Sequence, residues 1–309
     1  MDSFWAFLRA WLEKNINPVF FAAMVLGFVT PYVNKAPAWA PTALLAMAMF
    51  WGCAKISVST FKELRLSTSV WFYVVRYLLA PALFFYLLKD IDFSVAVAAL
   101  LLTLSPAGVA APALTGLVHG NVIFSLLLTV VSSLAFVVIA PFYLSGLTGR
   151  EIPIDAFSLF LNLFFMIVVP LVFFAVIYWK RPAAVPVLKK NATAATAVCL
   201  FFVILIVIAK LRGQFFENSG FVAIGVLAVS VFYAIYYIVL GWGLGYKEVP
   251  TIRNAMAVTS GANNIALAIV LSTLYFPPKV QLLMVIGEVV WILSIPAYRF
   301  ILKKGLEKI

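Results

Sequence analysis

Polar residues interrupt this chain at regular intervals. Between them lie ten apolar runs, at about 18–33, 37–55, 69–88, 93–117, 121–145, 155–179, 193–211, 220–245, 251–275 and 279–302. Each approaches the roughly 20 residues that an α-helix needs to cross a bilayer core. Backbone in lipid must satisfy its hydrogen bonds within the segment, and the alternation of a barrel strand is absent, so all ten are predicted as helices. Ahead of the first run, Phe4, Phe7, Leu8, Trp11 and Leu12 recur at helical spacing with Asp2, Arg9 and Glu13 between them. That pattern predicts a short amphipathic helix lying in the membrane interface. No charged head, short apolar core and small-residue cleavage site occur in series, so no removable leader is expected. The runs and their connections fill residues 1–309 as one membrane domain, with no room for a soluble one.

Two of the runs are broken in their middles. The fourth holds Ser105-Pro106-Ala107-Gly108, followed by Val109 and a second proline, Pro112. Proline removes a backbone donor and clashes with the preceding turn, and glycine accepts irregular dihedrals. The ninth holds Thr259-Ser260-Gly261-Ala262-Asn263-Asn264, a stretch too polar to face lipid. Either break alone reads as well as an ordinary kink packed by its neighbours. Together they say more, because Pro106 and Gly261 are 155 residues apart, half the chain. Each is also followed, after a short turn, by a full run ending near a proline, Pro141 or Pro296. Paired interruptions at corresponding places in two halves point to an inverted-repeat transporter with its site near the bilayer midplane. Five runs per half, an odd number, require the second half to be inverted. Second half-helices starting near Val109 and Ile265 would present unpaired N–H groups with about half a positive charge each, which suits a carboxylate or similar anion.

Composition agrees with a bilayer as solvent. The chain is 65% hydrophobic and 11% charged with mean hydropathy +1.11, where soluble domains run near ~45–50% and ~25%. A net charge of +11 raises nucleic acid as a partner, but nearly all the charges lie between the runs, which excludes it. Numbering termini and loops alternately puts 15 of the 22 Lys and Arg on the side of both termini and 6 on the other. The positive-inside bias therefore predicts cytoplasmic termini, in a bacterial inner membrane given the missing targeting segment. Cys53 and Cys199 fall inside apolar runs and read as packing residues. His119, in Val118-His119-Gly120-Asn121, reads as a loop residue rather than a proton relay. No nucleotide-binding loop, HExxH, GxSxG or metal-ligand cluster occurs, so neither an enzyme nor a cofactor is expected.

Two charges sit inside runs: Arg76 in the third and Glu288 in the tenth. Unpaired, each costs on the order of 2.5–3.5 kcal/mol on an insertion scale, and a guanidinium cannot shed its charge. Three readings stay open. Arg76 and Glu288 form an ion pair, Arg76 lends a fixed positive charge to the substrate site, or Glu288 carries a proton.

The break Ser105-Pro106-Ala107-Gly108, then Gly120-Asn121-Val122 with Ser125 and Thr129, and Gly261-Ala262-Asn263-Asn264 in the ninth run together resemble the bile acid:sodium symporter family. That family belongs to the wider superfamily of bile, arsenite and auxin-type carriers. The resemblance covers essentially the whole chain. It implies an all-α fold of ten transmembrane helices in two inverted five-helix repeats, with broken helices 4 and 9 crossing. It implies a panel domain at about 18–55 and 155–211 and a core domain at about 69–145 and 220–302. Relatives move organic anions, among them steroid conjugates and small carboxylates, generally with sodium, by alternating access.

Departures from the sodium-coupled pattern accompany the resemblance. Its Ser-Asn pair after the first break falls at Ala111-Pro112, its shared glutamate at Thr259, and a glutamine ligand on the third span at Arg76. Ser125, Thr129 and Asn263 keep oxygen ligands. The resemblance thus implies a missing second sodium site and a weakened first, with Arg76 as a surrogate cation. The expectation is an organic-anion transporter that is not sodium-driven. Its substrate residues are Arg76, Ser105, Pro106, Ala107, Gly108, Val109 and Thr259 to Asn264, and Na+ or H+ remain candidate partners beside the anion and the bilayer. A sodium-coupled symporter and a transporter-like sensor that binds without transport are the alternatives.

Overall fold

The computed structural model describes residues 2–54, 66–149 and 151–306. Among them the regular structure is helical, with a single isolated β-bridge. The helices sort into two compact units.

One unit is drawn from Met1–Ile56 and Pro153–Glu217. It holds α1 (Asp2–Lys14), α2 (Ile16–Val29), α3 (Ala40–Cys53), α9 (Ala156–Leu163), α10 (Val169–Lys180) and α11 (Val185–Glu217). The amphipathic segment forms α1, whose Ala6–Lys14 stretch meets Pro18–Val29 at 87°. The long α11 is the spine, packing against α1, α2 and α3. Gly27 lets α2 approach it, since a Cβ there would stand 2.8 Å from Ile208 Cβ. Apolarity placed this run at 193–211, yet the helix has 33 residues. Lys189, Lys190, Lys210 and Arg212 end the apolar stretch but are good helix formers, so hydropathy stops before the helix does. Asp155 caps α9. The Ser158 hydroxyl, then the Ser158 and Phe157 backbone N–H groups, hydrogen-bond its carboxyl and hold it below the usual carboxylate range. Both cysteines are buried free thiols.

The other unit is drawn from Ser57–Ile152 and Asn218–Ile309. It holds α4 (Leu66–Tyr73), α5 (Ala80–Leu88), α6 (Phe93–Leu104), α7 (Ala111–Leu117), α8 (Val122–Thr148), α12 (Ser219–Ala234), α13 (Pro250–Gly261), α14 (Ile265–Tyr275) and α15 (Pro278–Leu306). A π-helical turn, Val74–Leu79, joins α4 to α5. Pro81 is its cause: the ring has no N–H and would strike the Tyr77 carbonyl, so the turn before it widens. Ala80 N accordingly donates to Val75 O, five residues back. The turn Phe164–Val168 ahead of Pro170 follows the same rule, with Val169 N donating to Phe164 O. A third, Ile235–Trp242, contains no proline. It lies against α13 so closely that a Cβ on Gly241 would stand 2.3 Å from Ala257 Cα. Gly241→Ala is expected to lower the unfolding free energy by about 1–3 kcal/mol, because backbone must move. Gly146→Ala on α8, where nothing lies within 4 Å of the added carbon, should instead be neutral or stabilising by up to about 1 kcal/mol. Thermal melts in detergent compare the two.

Five described stretches are long and apolar enough to cross a membrane alone: Val70–Leu88, Val122–Thr148, Ala156–Lys180, Pro182–Glu217 and Ser219–Trp242. A sixth is added if the bent α1–α2 pair counts as one. The broken runs fall short of this measure because each is divided into two short helices. Of the basic residues behind the predicted orientation, Lys55, Lys62, Arg65, Arg150 and Lys308 lie outside the described residues.

Candidate functional site

The two breaks cross each other inside the second unit. After α6 the chain leaves the helix at Ser105 and resumes at Ala111, and after α13 it leaves at Ala262 and resumes at Ile265. Ala107 and Asn263 form an antiparallel bridge. Gly108 N donates to Ala262 O at 2.6 Å and Asn264 N donates to Pro106 O at 2.7 Å. Each break thus supplies hydrogen-bond partners that the other lost on leaving the helix, which is what a non-helical segment at membrane depth requires. Gly108 is needed for the approach, since a Cβ there would meet Asn263 O at 3.0 Å. The Ser132 hydroxyl on α8 accepts from Ala107 N at 3.1 Å.

Arg76 fills the other side of the crossing. The π-helical turn carries its fully buried side chain to the C-terminal ends of α6 and α13. Nε and Nη2 donate to Ser260 O at 3.3 and 3.0 Å. Nη1 donates to Thr103 O and Nη2 also to Asn263 Oδ1. The guanidinium lies 4.1 Å from the Tyr77 ring centre and 4.8 Å from that of Tyr236. Asn263 Nδ2 donates to Leu102 O at 2.7 Å. Carbonyls in the last turn of a helix have no partner within it and carry the negative end of its dipole. One cation and one amide therefore cap both first half-helices together.

The second half-helices differ from expectation in one respect. The first starts at Ala111, beyond a turn at Val109 and Ala110, and has seven residues. The second is capped by its own Asn264, whose Oδ1 accepts from Leu267 N at 3.2 Å. The positive end at Ile265 is thus partly satisfied by a side chain, and Asn264 Nδ2 and Ser260 Oγ are left as buried polar atoms without a partner among the described residues.

Of the residues singled out from sequence, Arg76, Ser105 to Gly108 and Thr259 to Asn264 are all buried around this crossing, and Val109 is half-buried beside it. Ser125 and Thr259 place their hydroxyl oxygens 3.1 Å apart. Thr259 donates to Ala255 O and Thr129 to Ser125 O, so these hydroxyls are bound to their own helices. Asn263 Oδ1 serves Arg76. The Arg76–Glu288 ion pair is not formed: Arg76 pairs with no carboxylate among the described residues, because its donors are held by backbone and amide oxygens. Glu288 is buried separately on α15. His119 adopts positive φ (55°) in the turn between α7 and α8. That turn is fastened to α13 by Asn121 N donating to Thr251 O at 2.8 Å and Asn254 Nδ2 to Val118 O at 2.9 Å. Sequence reasoning missed Thr103, Ser132, Tyr77 and Tyr236. A hydroxyl inside an apolar run was the available signal for the first two; nothing in the sequence distinguishes Tyr236 from other span aromatics.

Membrane-length apolar helices and two broken helices crossing around a buried cation define an integral multi-pass membrane protein of the transporter class. The profile of the Sodium Bile acid symporter family matches residues 42–219. That is more than half of the chain, and the protein belongs to this family. The match includes Arg76 and the first break; the second break and Glu288 lie beyond it. The chain is also 25% identical over 267 residues to a Bacillus subtilis (strain 168) protein described as "Uncharacterized sodium-dependent transporter YocS", covering 82% of this chain and 80% of that one.

Proposed function

We propose that this protein is a secondary transporter of an organic anion, of carboxylate or steroid-conjugate type, working by alternating access without sodium as its driving ion. The observation that carries the sodium-independent part is Arg76 bound to Ser260 O, Thr103 O and Asn263 Oδ1. On this reading, Arg76 and Asn263 stand where the sodium-coupled pattern of the resemblance has glutamine ligands. A guanidinium standing there supplies permanently the charge that a bound sodium ion supplies reversibly. A tethered cation cannot leave with the substrate, so it cannot transmit a sodium gradient. The residual hydroxyls Ser125, Thr129 and Thr259 offer no anionic oxygen, and sodium is a hard cation that favours several oxygen ligands. An organic anion is supported by Ser260 Oγ in the last turn of α13 and Asn264 Nδ2 at the cap of α14, buried polar atoms without a partner among the described residues.

The same proposal takes the ten runs as ten spans in two inverted repeats, with residues 18–55 and 155–211 as panel and 69–145 and 220–302 as core. Both termini are cytoplasmic in a bacterial inner membrane. A sodium-coupled symporter of the same anion class is the second reading, favoured by the name of the Bacillus subtilis relative, a sodium-dependent transporter. Uptake of taurocholate and of small carboxylates into proteoliposomes separates the two. Uptake of at least one anion is expected, with equal rates under inward sodium and inward potassium gradients. Saturable stimulation by sodium would establish the symporter instead.

A further inference from the structure

Glu288 is a buried carboxyl that forms no ion pair among the described residues. It sits on α15 at 5% exposure. That helix packs against α6, α12 and α14, and none of the three contains a Lys, Arg or His. Their titratable side chains are tyrosines, Tyr233 on α12 and Tyr275 on α14. Along α15 the neighbouring basic residues are Lys279 and Arg299, roughly 13 and 16 Å away along the axis at 1.5 Å per residue. Arg76, the buried cation among the described residues of this unit, is held at the crossing.

The surroundings of this turn of α15 are also specific. A Cβ on Gly287 would lie 3.1 Å from Leu102 Cδ2 and 3.9 Å from the Tyr233 hydroxyl oxygen. Leu102 is the residue whose carbonyl accepts from Asn263, and Thr103, the next one, is held by Arg76. Glu288 therefore follows a residue that touches the last turn of α6, where the crossing is assembled. A carboxylate withdrawn from water without a countercharge is so unfavourable that the group takes up a proton instead.

We propose that Glu288 is a proton-binding site, holding a neutral carboxyl in this conformation and releasing its proton to water when the turn becomes hydrated. Release leaves a carboxylate and transfers one proton to a water molecule, so one proton moves with each cycle and its charge offsets that of a transported monoanion. This makes the proton the coupling ion of the sodium-independent transporter proposed above, and it rests on that reading for its second half.

Infrared spectroscopy of the purified full chain tests the site without reference to transport. At pH 7 the wild type is expected to show a protonated-carboxyl C=O stretching band, shifted in deuterated buffer, that Glu288→Gln lacks. Glu288→Gln mimics the neutral acid, and a monodisperse gel-filtration profile shows that it folds. Absence of a band removable by this substitution overturns the proposal. In proteoliposomes, accumulation of the anion found to be transported should rise about tenfold for each pH unit by which the outside is more acidic than the lumen, for one proton per monoanion. Glu288→Gln should abolish that dependence, and its retention overturns the coupling role. A wild type that shows the band but moves none of the anions supports the proton site and counts against the transport reading alone.

Discussion

Arg76→Met is expected to lower the unfolding free energy by on the order of 3 kcal/mol and to abolish transport. Two effects oppose each other. Methionine removes a charge whose burial is itself unfavourable, and exchanging buried charged groups for apolar ones is often neutral or stabilising. Here, however, the acceptors stay behind. Thr103 O, Ser260 O and Asn263 Oδ1 each lose a donor, at about 1–3 kcal/mol per buried unsatisfied group. Thr103 O and Ser260 O also belong to the negative ends of two half-helices, which lose the cation that caps them both. The loss of donors therefore outweighs the relief of desolvation. Thermal melts of the purified variant decide the sign, and a melting temperature at or above wild type would mean that desolvation dominates. Arg76→Gln adds a sharper comparison. It leaves oxygens of the kind a monovalent cation takes, so sodium is expected to stabilise this variant by about 1.4 kcal/mol at ten times its dissociation constant. Wild type should respond equally to sodium and potassium.

Asn263→Leu is expected to cost about 2–4 kcal/mol, from two losses at one site. Leucine has nearly the same size but neither donates to Leu102 O nor accepts from Arg76. The neutral bond is the smaller share; the acceptor for a guanidinium is the larger, since bonds to charged groups contribute about 1.5–3 kcal/mol. Asn263→Gln keeps both functions on a longer side chain and should recover part of the loss. Asn264→Ala, next in sequence, loses only a helix cap at about 1 kcal/mol. Denaturant or thermal unfolding that ranked Asn264 above Asn263 would contradict this account of the crossing.

Much of this protein is legible in its sequence. Pro106, Gly108 and the polar stretch 259–264 located both breaks, because proline and buried polar groups are local and cannot be hidden by packing. Bounds were read less well where charge and helix propensity diverge, as in α11, which runs past Lys189 and Arg212. The partner of Arg76 was not legible. Charge in the sequence suggested Glu288, whereas the acceptors are mainly backbone carbonyls, a group every residue has and no pattern marks.

The sequence by itself determined that the chain is helical, built for lipid, and interrupted twice at matching distances. Those properties depend on hydropathy, proline and glycine, each of which acts within a few residues. Tertiary structure alone decided what the interruptions do. Residues 107 and 263 become bridge partners, Thr103 and Ser260 turn their carbonyls to one guanidinium, and Glu288 is left without a counterion among the described residues. These outcomes depend on which helix ends meet after folding, and on the rule that buried backbone groups and charges must find partners across any distance in sequence.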